Sequence, residues 1–269
     1  MVQTQNQGEE QNISSVTSSN DPMKNNIFHR AGRHLWGREP VNTLSHTYFT
    51  TPKTHEIIRY VSMAFHVPVF IWALFSLDKA YYWFAYLTLW GFFTCMLYFI
   101  LVHFVKQSHH SKKRWKFVYI LGELGAVLEF LICPFFFLFL FPAFLKMDPA
   151  PSWQLILLQV LLHLVCPIFI WIETILNAIQ FPKQHLWFVG FVCIVYPINN
   201  FLWSKYVMPK HYVYPVMDWK DYKTFLYIFG AIIMAFVGFY VGGKQHNAKK
   251  DRPFLKPKTP NEDVLTRLI

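Results

Sequence analysis

The sequence predicts an all-α, polytopic membrane protein with about six transmembrane helices. Three observations predict this class. Of the 269 residues, 54% are hydrophobic and only 15% are charged, whereas an ordinary soluble domain has roughly 25% charged residues. The apolar residues are gathered in blocks near or above the roughly 20 residues that a helix needs to cross a bilayer. Tryptophan and tyrosine lie near the ends of these blocks, as in the interfacial belts of membrane proteins.

Six apolar blocks give the expected spans. They cover about residues 57–77, 81–104, 117–145, 153–178, 186–206 and 225–241. Four of them contain an internal proline, at Pro68, Pro134, Pro167 and Pro197. Such kinks are tolerated in a membrane when neighbouring helices satisfy the freed carbonyls. No internal repeat is visible, so the blocks predict a single helical bundle.

Polar tails flank this bundle and indicate its orientation. Residues 1–52 are rich in Asn, Gln, Ser and Thr, which predicts a disordered tail without a cleavable signal peptide. Residues 53–243 form the expected six-helix domain, and residues 244–269 a basic tail. Lys and Arg concentrate before the first block, in the second loop and after the last block, so both termini are expected to be cytoplasmic. The formal charge of +10 is explained by this orientation, and no nucleic-acid partner is expected.

The four cysteines indicate neither a disulfide framework nor a metal motif. Cys95, Cys133, Cys166 and Cys193 all lie inside apolar blocks, and their spacings match no zinc or redox pattern. They are expected to be reduced thiols that pack as small apolar groups. No metal and no organic cofactor is expected.

Several polar residues fall at similar depths in the predicted membrane. They are His66, Glu129 and His163 near the middle of the first, third and fourth blocks, Thr88 and Thr94 in the second, and Asn199 and Asn200 in the outer half of the fifth. An ionisable group in a span costs roughly 2.5–3.5 kcal/mol, so it usually faces the protein interior. At a rise of about 1.5 Å per residue these groups lie within about 10 Å of one level. Their shared depth predicts a common polar cavity, although each could simply bond a neighbouring helix.

A hydroxyl beside an imidazole is the smallest nucleophile and base pair. Thr88 or Thr94 could supply the hydroxyl and His163 could accept its proton, and depth does not choose between the two threonines. A carboxylate behind the imidazole would orient it, and Glu129 is the candidate. The alternative for each threonine is a bond to its own helix carbonyl one turn earlier.

Two further pairs of polar residues lie inside the apolar blocks. Asn199 or Asn200 could donate a hydrogen bond to an oxyanion. Glu123 and Glu173 lie nearer the predicted cytoplasmic ends. They are expected to reach the lipid headgroups and are assigned no chemistry.

Three segments resemble a known family. Ala85-Tyr-Leu-Thr88-Leu is similar to a Lys-Phe-Leu-Thr-Phe segment, and His163 followed by Phe169-Ile-Trp-Ile-Glu173 is similar to a histidine followed by Phe-Ile-Leu-Ile-Glu. Tyr212-Val-Tyr-Pro215 is similar to a Trp-Val-Tyr-Pro turn. In this order they resemble the androgen-induced membrane hydrolase family of intramembrane threonine hydrolases, over about residues 57–243. The family's Asn-His-Gly-Met run before the histidine is replaced here by Gln159-Val-Leu-Leu162, and the acid at Glu129 is a further departure.

The resemblance implies a lipid esterase. In the family the threonine is the proposed nucleophile and the histidine the proposed base, which favours Thr88 over Thr94 and assigns His163. The implied reaction is hydrolysis of fatty acid esters of hydroxy fatty acids, with the lipid substrate coming from the bilayer. The endoplasmic reticulum or the plasma membrane is expected, and the sequence does not choose between them.

Two other classes remain open. The long polar tails and the altered residues before His163 would suit a non-catalytic accessory subunit of a larger membrane complex, recognisable by stable partner subunits and an unlabelled Thr88. A transporter is less favoured, because many transporters contain internal repeats. Flux through proteoliposomes would favour it.

Overall fold

The computed structural model describes residue 47 and residues 49–77, 79–107, 112–177, 179–207, 213–214, 217 and 219–249. Most of the two predicted tails lies outside these residues, as do Tyr212 and Pro215 of the third resembling segment. The described residues contain six helices long and apolar enough to cross a membrane. The predicted all-α, multi-pass class is therefore confirmed, and the chain is an integral membrane protein.

The six spans are named α1 to α6. Helix α1 is Pro52–Phe75, α2 is Leu87–Gln107 and α6 is Tyr222–Lys249. Helix α3 joins Lys112–Phe135, a π-helical turn Phe136–Leu140 and Phe141–Leu145. Helix α4 joins Trp153–Val160, a π-helical turn Leu161–Val165 and Cys166–Leu176. Helix α5 joins a 3-10 turn Lys183–His185, Leu186–Leu202 and a π-helical turn Trp203–Val207.

Helices α1 and α2 do not begin where their apolar blocks begin, because local structure sets the first residue of each helix. Helix α1 begins five residues early, since the Thr51 side chain caps the backbone N–H of Thr54 at 3.2 Å and Pro52 occupies the first turn. Helix α2 begins six residues late, because Ala80–Ala85 forms a separate 3-10 helix. Thr88 consequently lies in the first turn of α2 and not two turns inside it.

Prolines explain the π-helical turns of α3 and α4. Each turn ends two residues before a proline, Pro142 in α3 and Pro167 in α4. Pro167 has no N–H to offer to the carbonyl of His163 four residues earlier, and a π turn is one way in which a helix adapts to such a gap. His163 therefore lies inside a locally widened turn.

The core forms around α2 and α3. Helix α3 packs against α2, α4 and α6. Its buried residues Val118 and Val127 lie in one cluster with Phe92 and Phe99 of α2 and Ile170 of α4. This arrangement makes α3 the helix that most of the others contact.

Glycine allows α6 to approach α3 closely, as small residues do between membrane helices. A Cβ atom at Gly238 would lie 2.9 Å from Cδ1 of Phe130, whereas a Cβ atom at Gly230 would meet nothing within 4 Å. We expect Gly238→Leu to destabilise the bundle by about 1–3 kcal/mol through overpacking. Gly230→Leu is the matched control on the same helix. Equal thermal unfolding of the two variants would contradict this account of the α3–α6 contact.

Helix α6 extends past the predicted boundary of the basic tail at residue 244. Its last residue, Lys249, is buried and donates hydrogen bonds from Nζ to the carbonyls of Thr174, Ile175 and Asn177. A cation at the carbonyl end of a helix satisfies the unpaired groups there and complements the helix dipole. The end of α6 is thereby fixed to the end of α4.

Candidate functional site

Thr88 and His163 line one cavity between α2 and the four helices that follow it. The cavity has a volume of about 70 Å³. Its walls are mainly apolar, with Leu131 of α3 and Val192 of α5 among them. Both polar residues also line a neighbouring cavity, which extends towards the end of α1. Thr88 and His163 thus line the same space in the bundle, where the largely apolar surroundings suit an acyl chain better than a hydrated solute.

Two tyrosine hydroxyls hold Thr88 in place. The backbone N–H of Leu87 donates to the hydroxyls of Tyr214 at 3.0 Å and Tyr196 at 3.2 Å. Tyr196 donates onward to the carbonyl of Ala85 at 2.9 Å, and Tyr214 lines the same cavity as Thr88. Burial raises the pKa of Tyr214 above its usual value, so its phenol stays protonated at neutral pH and can donate a hydrogen bond into the site.

The His163 ring is fixed by stacking. It lies parallel to the Phe136 ring, with 3.5 Å between the ring centroids and 2° between the planes. Its Nδ1 atom is buried and has no hydrogen-bond partner among the described residues. The two rings come from the facing π-helical turns of α4 and α3. The imidazole is therefore oriented by an aromatic face and not by an acid.

Glu129 does not orient His163, in contrast to the expectation from the sequence. Both Glu129 carboxylate oxygens are buried without a hydrogen-bond partner in the part of the chain that the structure describes. The residue of α3 that contacts His163 is Phe136, seven positions further along, which corresponds to about 10 Å along the helix. Glu129 faces Cys95 and Cys166 instead, with the three ligand atoms within 4.8 Å of one another.

Neither candidate asparagine lines the cavity that contains Thr88. The Asn199 amide donates to the carbonyl of Phe84 at 2.8 Å. Asn200 is fully buried, accepts from the Trp219 indole at 2.8 Å and donates to the Tyr196 hydroxyl at 3.4 Å. Because these amides are used to connect α5 to its surroundings, they are not placed to stabilise an oxyanion at Thr88. Tyr214, which lies in the third resembling segment but was assigned no role from the sequence, lines the cavity beside Thr88 instead.

The shared depth of the polar residues does not bring them into one cavity. The Thr94 hydroxyl donates to the carbonyl of Trp90 in its own helix at 2.7 Å. His66 lies apart from the cavity, with Nε2 3.2 Å from Sγ of Cys166. A shared depth along the helix axes does not bring side chains together when they point in different directions around those axes.

A buried ionic network centres on Glu173, which was expected to reach the headgroups. Glu173 is fully buried. Its carboxylate lies 2.7 Å from Nε2 of His55 and accepts hydrogen bonds from Nε of Arg59 at 2.8 Å, the Tyr98 hydroxyl at 2.6 Å and Nδ2 of Asn177 at 3.1 Å. The network joins α1, α2 and α4 near the end of the bundle where the described chain begins and ends. It is a structural junction that sequence reasoning missed.

The sequence contains a signal for this network. His55, Arg59, Ser62 and His66 follow one another at intervals of four, three and four residues, which places them on one face of α1. All four are buried. A polar stripe along an apolar helix predicts a polar partner inside the bundle, and Glu173 is that partner for the first two.

Glu123 is likewise buried and not at the headgroups. One carboxylate oxygen lies 2.5 Å from Nδ1 of His185, which is also buried. This pair connects α3 to the start of α5, so it adds a second buried ionic contact at the same end of the bundle. Neither Glu123 nor Glu173 lines the cavity of Thr88 and His163.

In comparisons with protein-family models, curated proteins and solved structures, none matched this chain. The resemblance of the segments around Thr88 and His163 to the androgen-induced membrane hydrolases therefore stands on the residues themselves.

Proposed function

We propose that the chain is an intramembrane lipid esterase in which Thr88 is the nucleophile and His163 the general base. The observation that carries the proposal is the position of these two residues on the wall of one largely apolar cavity. The proposal agrees with the family resemblance, which assigns the same two residues. It does not require the carboxylate of Glu129 or the amides of Asn199 and Asn200.

The proposed reaction proceeds through an acyl-threonine. The Thr88 oxygen attacks the ester carbonyl while His163 accepts its proton, directly or through a water molecule. The Tyr214 hydroxyl donates to the oxyanion of the tetrahedral intermediate. His163 returns the proton to the departing alkoxide, which leaves as the alcohol. A water molecule then attacks the acyl-threonine with His163 again as base, which releases the acid and restores Thr88.

The proposed substrates are fatty acid esters of hydroxy fatty acids. The apolar wall suits a long acyl chain, and a lipid ester can enter laterally from the bilayer between helices. Thr88 lies in the first turn of α2, at the side of the bundle opposite Pro52 and Lys249, so hydrolytic water is proposed to enter from that side. The proposed membrane is the endoplasmic reticulum or the plasma membrane.

The direct test is labelling with a fluorophosphonate, which reacts with activated hydroxyl groups. The purified full chain is labelled, digested and analysed by mass spectrometry. We expect one adduct on Thr88 that is lost in the His163→Ala variant. A folded wild-type protein that carries no adduct and hydrolyses no ester would contradict the proposal and favour an accessory subunit.

Removal of the Tyr214 hydroxyl tests the oxyanion assignment. Tyr214→Phe is expected to lower kcat by about 10²-fold, because one oxyanion donor contributes roughly that factor, with a smaller change in KM. Tyr240→Phe, an exposed tyrosine on α6, is the control and should leave turnover unchanged. A Tyr214→Phe variant with unchanged kcat would exclude this hydroxyl from the reaction.

A further inference from the structure

We propose that His66, Cys95, Glu129 and Cys166 form a binding site for a Zn²⁺ ion inside the membrane-spanning bundle. This site goes beyond the proposed esterase and is separate from the cavity of Thr88 and His163. The four residues come from α1, α2, α3 and α4, one from each helix. All four side chains are fully buried.

Three of the four ligand atoms lie together, and the fourth lies beside one of the three. The Sγ atoms of Cys95 and Cys166 and a carboxylate oxygen of Glu129 are all within 4.8 Å of one another. Nε2 of His66 is 3.2 Å from Sγ of Cys166. A tetrahedral zinc ion with bonds of about 2.0–2.3 Å separates its ligand atoms by about 3.4–3.8 Å. On binding of the ion, we expect the His66 ring and the Glu129 carboxylate to move towards the two sulfur atoms.

The His66 ring is already arranged as a zinc ligand. Its Nδ1 lies 2.7 Å from the carbonyl oxygen of Ser62 in the preceding turn of α1. A carbonyl can only accept, so Nδ1 carries the proton and Nε2 presents its lone pair towards Cys166. A ligating histidine typically donates its other N–H in this way, which fixes both the tautomer and the ring orientation. The rings of Phe92 and Phe99 pack against the imidazole and shield it from water.

The Glu129 carboxylate supplies the independent observation that points to a ligand. Both of its oxygens are buried without a hydrogen-bond partner among the described residues, which is costly for any polar group in a protein interior. The opposing helix leaves room for this carboxylate only because it carries glycine there. A Cβ atom at Gly91 would lie 2.7 Å from Oε1 of Glu129, and one at Gly125 would lie 2.9 Å from Sγ of Cys95.

The chemistry of the four ligands favours zinc. Thiolate and imidazole ligands are too soft for Mg²⁺ or Ca²⁺, whereas two cysteines with a histidine and a carboxylate suit tetrahedral Zn²⁺. The two thiolates balance the charge of the ion, and the carboxylate completes a four-coordinate set. Four protein ligands leave no open position, so the site is structural. It would tie four helices together at mid-membrane, between the Glu173 network and the Thr88 cavity.

The test is the metal content of the full chain, purified without chelators from zinc-supplemented cells. We expect about one zinc per chain by mass spectrometry of the metal. Cys95→Ser and Cys166→Ser should each lower it by about tenfold or more. The controls are Cys133→Ser, one turn beyond Glu129 on α3, and Cys193→Ser on α5, both of which should retain the metal. Because metal content is measured without a substrate, its outcome is independent of the esterase proposal.

Cobalt provides a readout that needs no variant. The wild-type chain loaded with Co²⁺ in place of zinc should show thiolate-to-cobalt absorption and the visible bands of a tetrahedral ion. A folded wild-type chain with only background metal and no cobalt–thiolate band would overturn the proposal. So would the mass of a Cys95–Cys166 disulfide in the purified protein, or loss of zinc in the two control variants only.

Discussion

Replacement of Thr88 with alanine is expected to reduce ester turnover by about 10³-fold or more, because loss of a nucleophile removes the covalent route altogether. The measurement is hydrolysis of a fatty acid ester of a hydroxy fatty acid by the purified chain in nanodiscs. Thr88 is buried in the first turn of α2 and contacts Tyr214, so loss of one hydroxyl and one methyl should leave the helix in place. The reduction should therefore appear in kcat.

Two variants control this experiment. Thr88→Ser retains the hydroxyl and should keep turnover within about tenfold of the wild type, since only a methyl contact is lost. Thr94→Ala removes a hydroxyl from the same helix, but that hydroxyl bonds the carbonyl of Trp90, and turnover should be unchanged. Wild-type turnover by Thr88→Ala would show that Thr88 is not the nucleophile, whatever the cavity binds.

Glu173→Gln is expected to lower the free energy of unfolding by about 3–5 kcal/mol, since it leaves the buried Arg59 guanidinium without a counter-charge. Glutamine has nearly the same shape as glutamate, so the effect should come from charge and hydrogen bonding and not from a cavity. Arg59 and Tyr98 both donate to the carboxylate that would be lost. Thermal or denaturant unfolding in nanodiscs measures the change.

The exposed pair of Lys223 and Asp221 offers the comparison. Their charged atoms are 3.5 Å apart and the side chains are 64% and 37% exposed, so Asp221→Asn should change stability by less than about 1 kcal/mol. Similar effects of the two substitutions would mean that the Glu173 network contributes no more than a surface ion pair. Restored stability in a Glu173→Leu, Arg59→Met double variant would be consistent with a buried pair that packing can replace.

The fold was predictable because it depends mainly on the lengths of the apolar blocks and on their low charge, and both can be counted in the sequence. Block length and low charge predict six spans regardless of how the helices are arranged, and the structure contains those six. The errors lie at the helix starts, which depend on local structure. The Thr51 side-chain cap lets α1 begin before its apolar block, and the 3-10 helix Ala80–Ala85 makes α2 begin after the start of its block. Apolar content cannot detect either feature.

The candidate site was less predictable, because depth along a helix says nothing of rotation about it. Thr88 and His163 were identified through short resembling segments, and the structure brings them to one cavity. Glu129 was placed at the same level as His163, but it faces Cys95 and Cys166. The spacing of the cysteines does not predict that cluster, because its members come from different helices and share no local motif.

The unequal lengths of α2 and α3 have a consequence for the bilayer itself. Helix α2 has 21 residues and α3 spans 34, which corresponds to about 32 Å and 51 Å, against a hydrocarbon thickness of about 30 Å. The two helices are consecutive, so the excess of α3 falls mainly beside the start of α2, above Thr88. A span longer than the hydrocarbon layer is accommodated by tilting or kinking of the helix or by local thickening of the bilayer, so we expect one of these around α3. The acyl-chain length of the host lipids sets the thickness of the bilayer, and this thickness would determine how far an ester must move to reach Thr88. Membrane thickness would therefore affect the rate of the reaction.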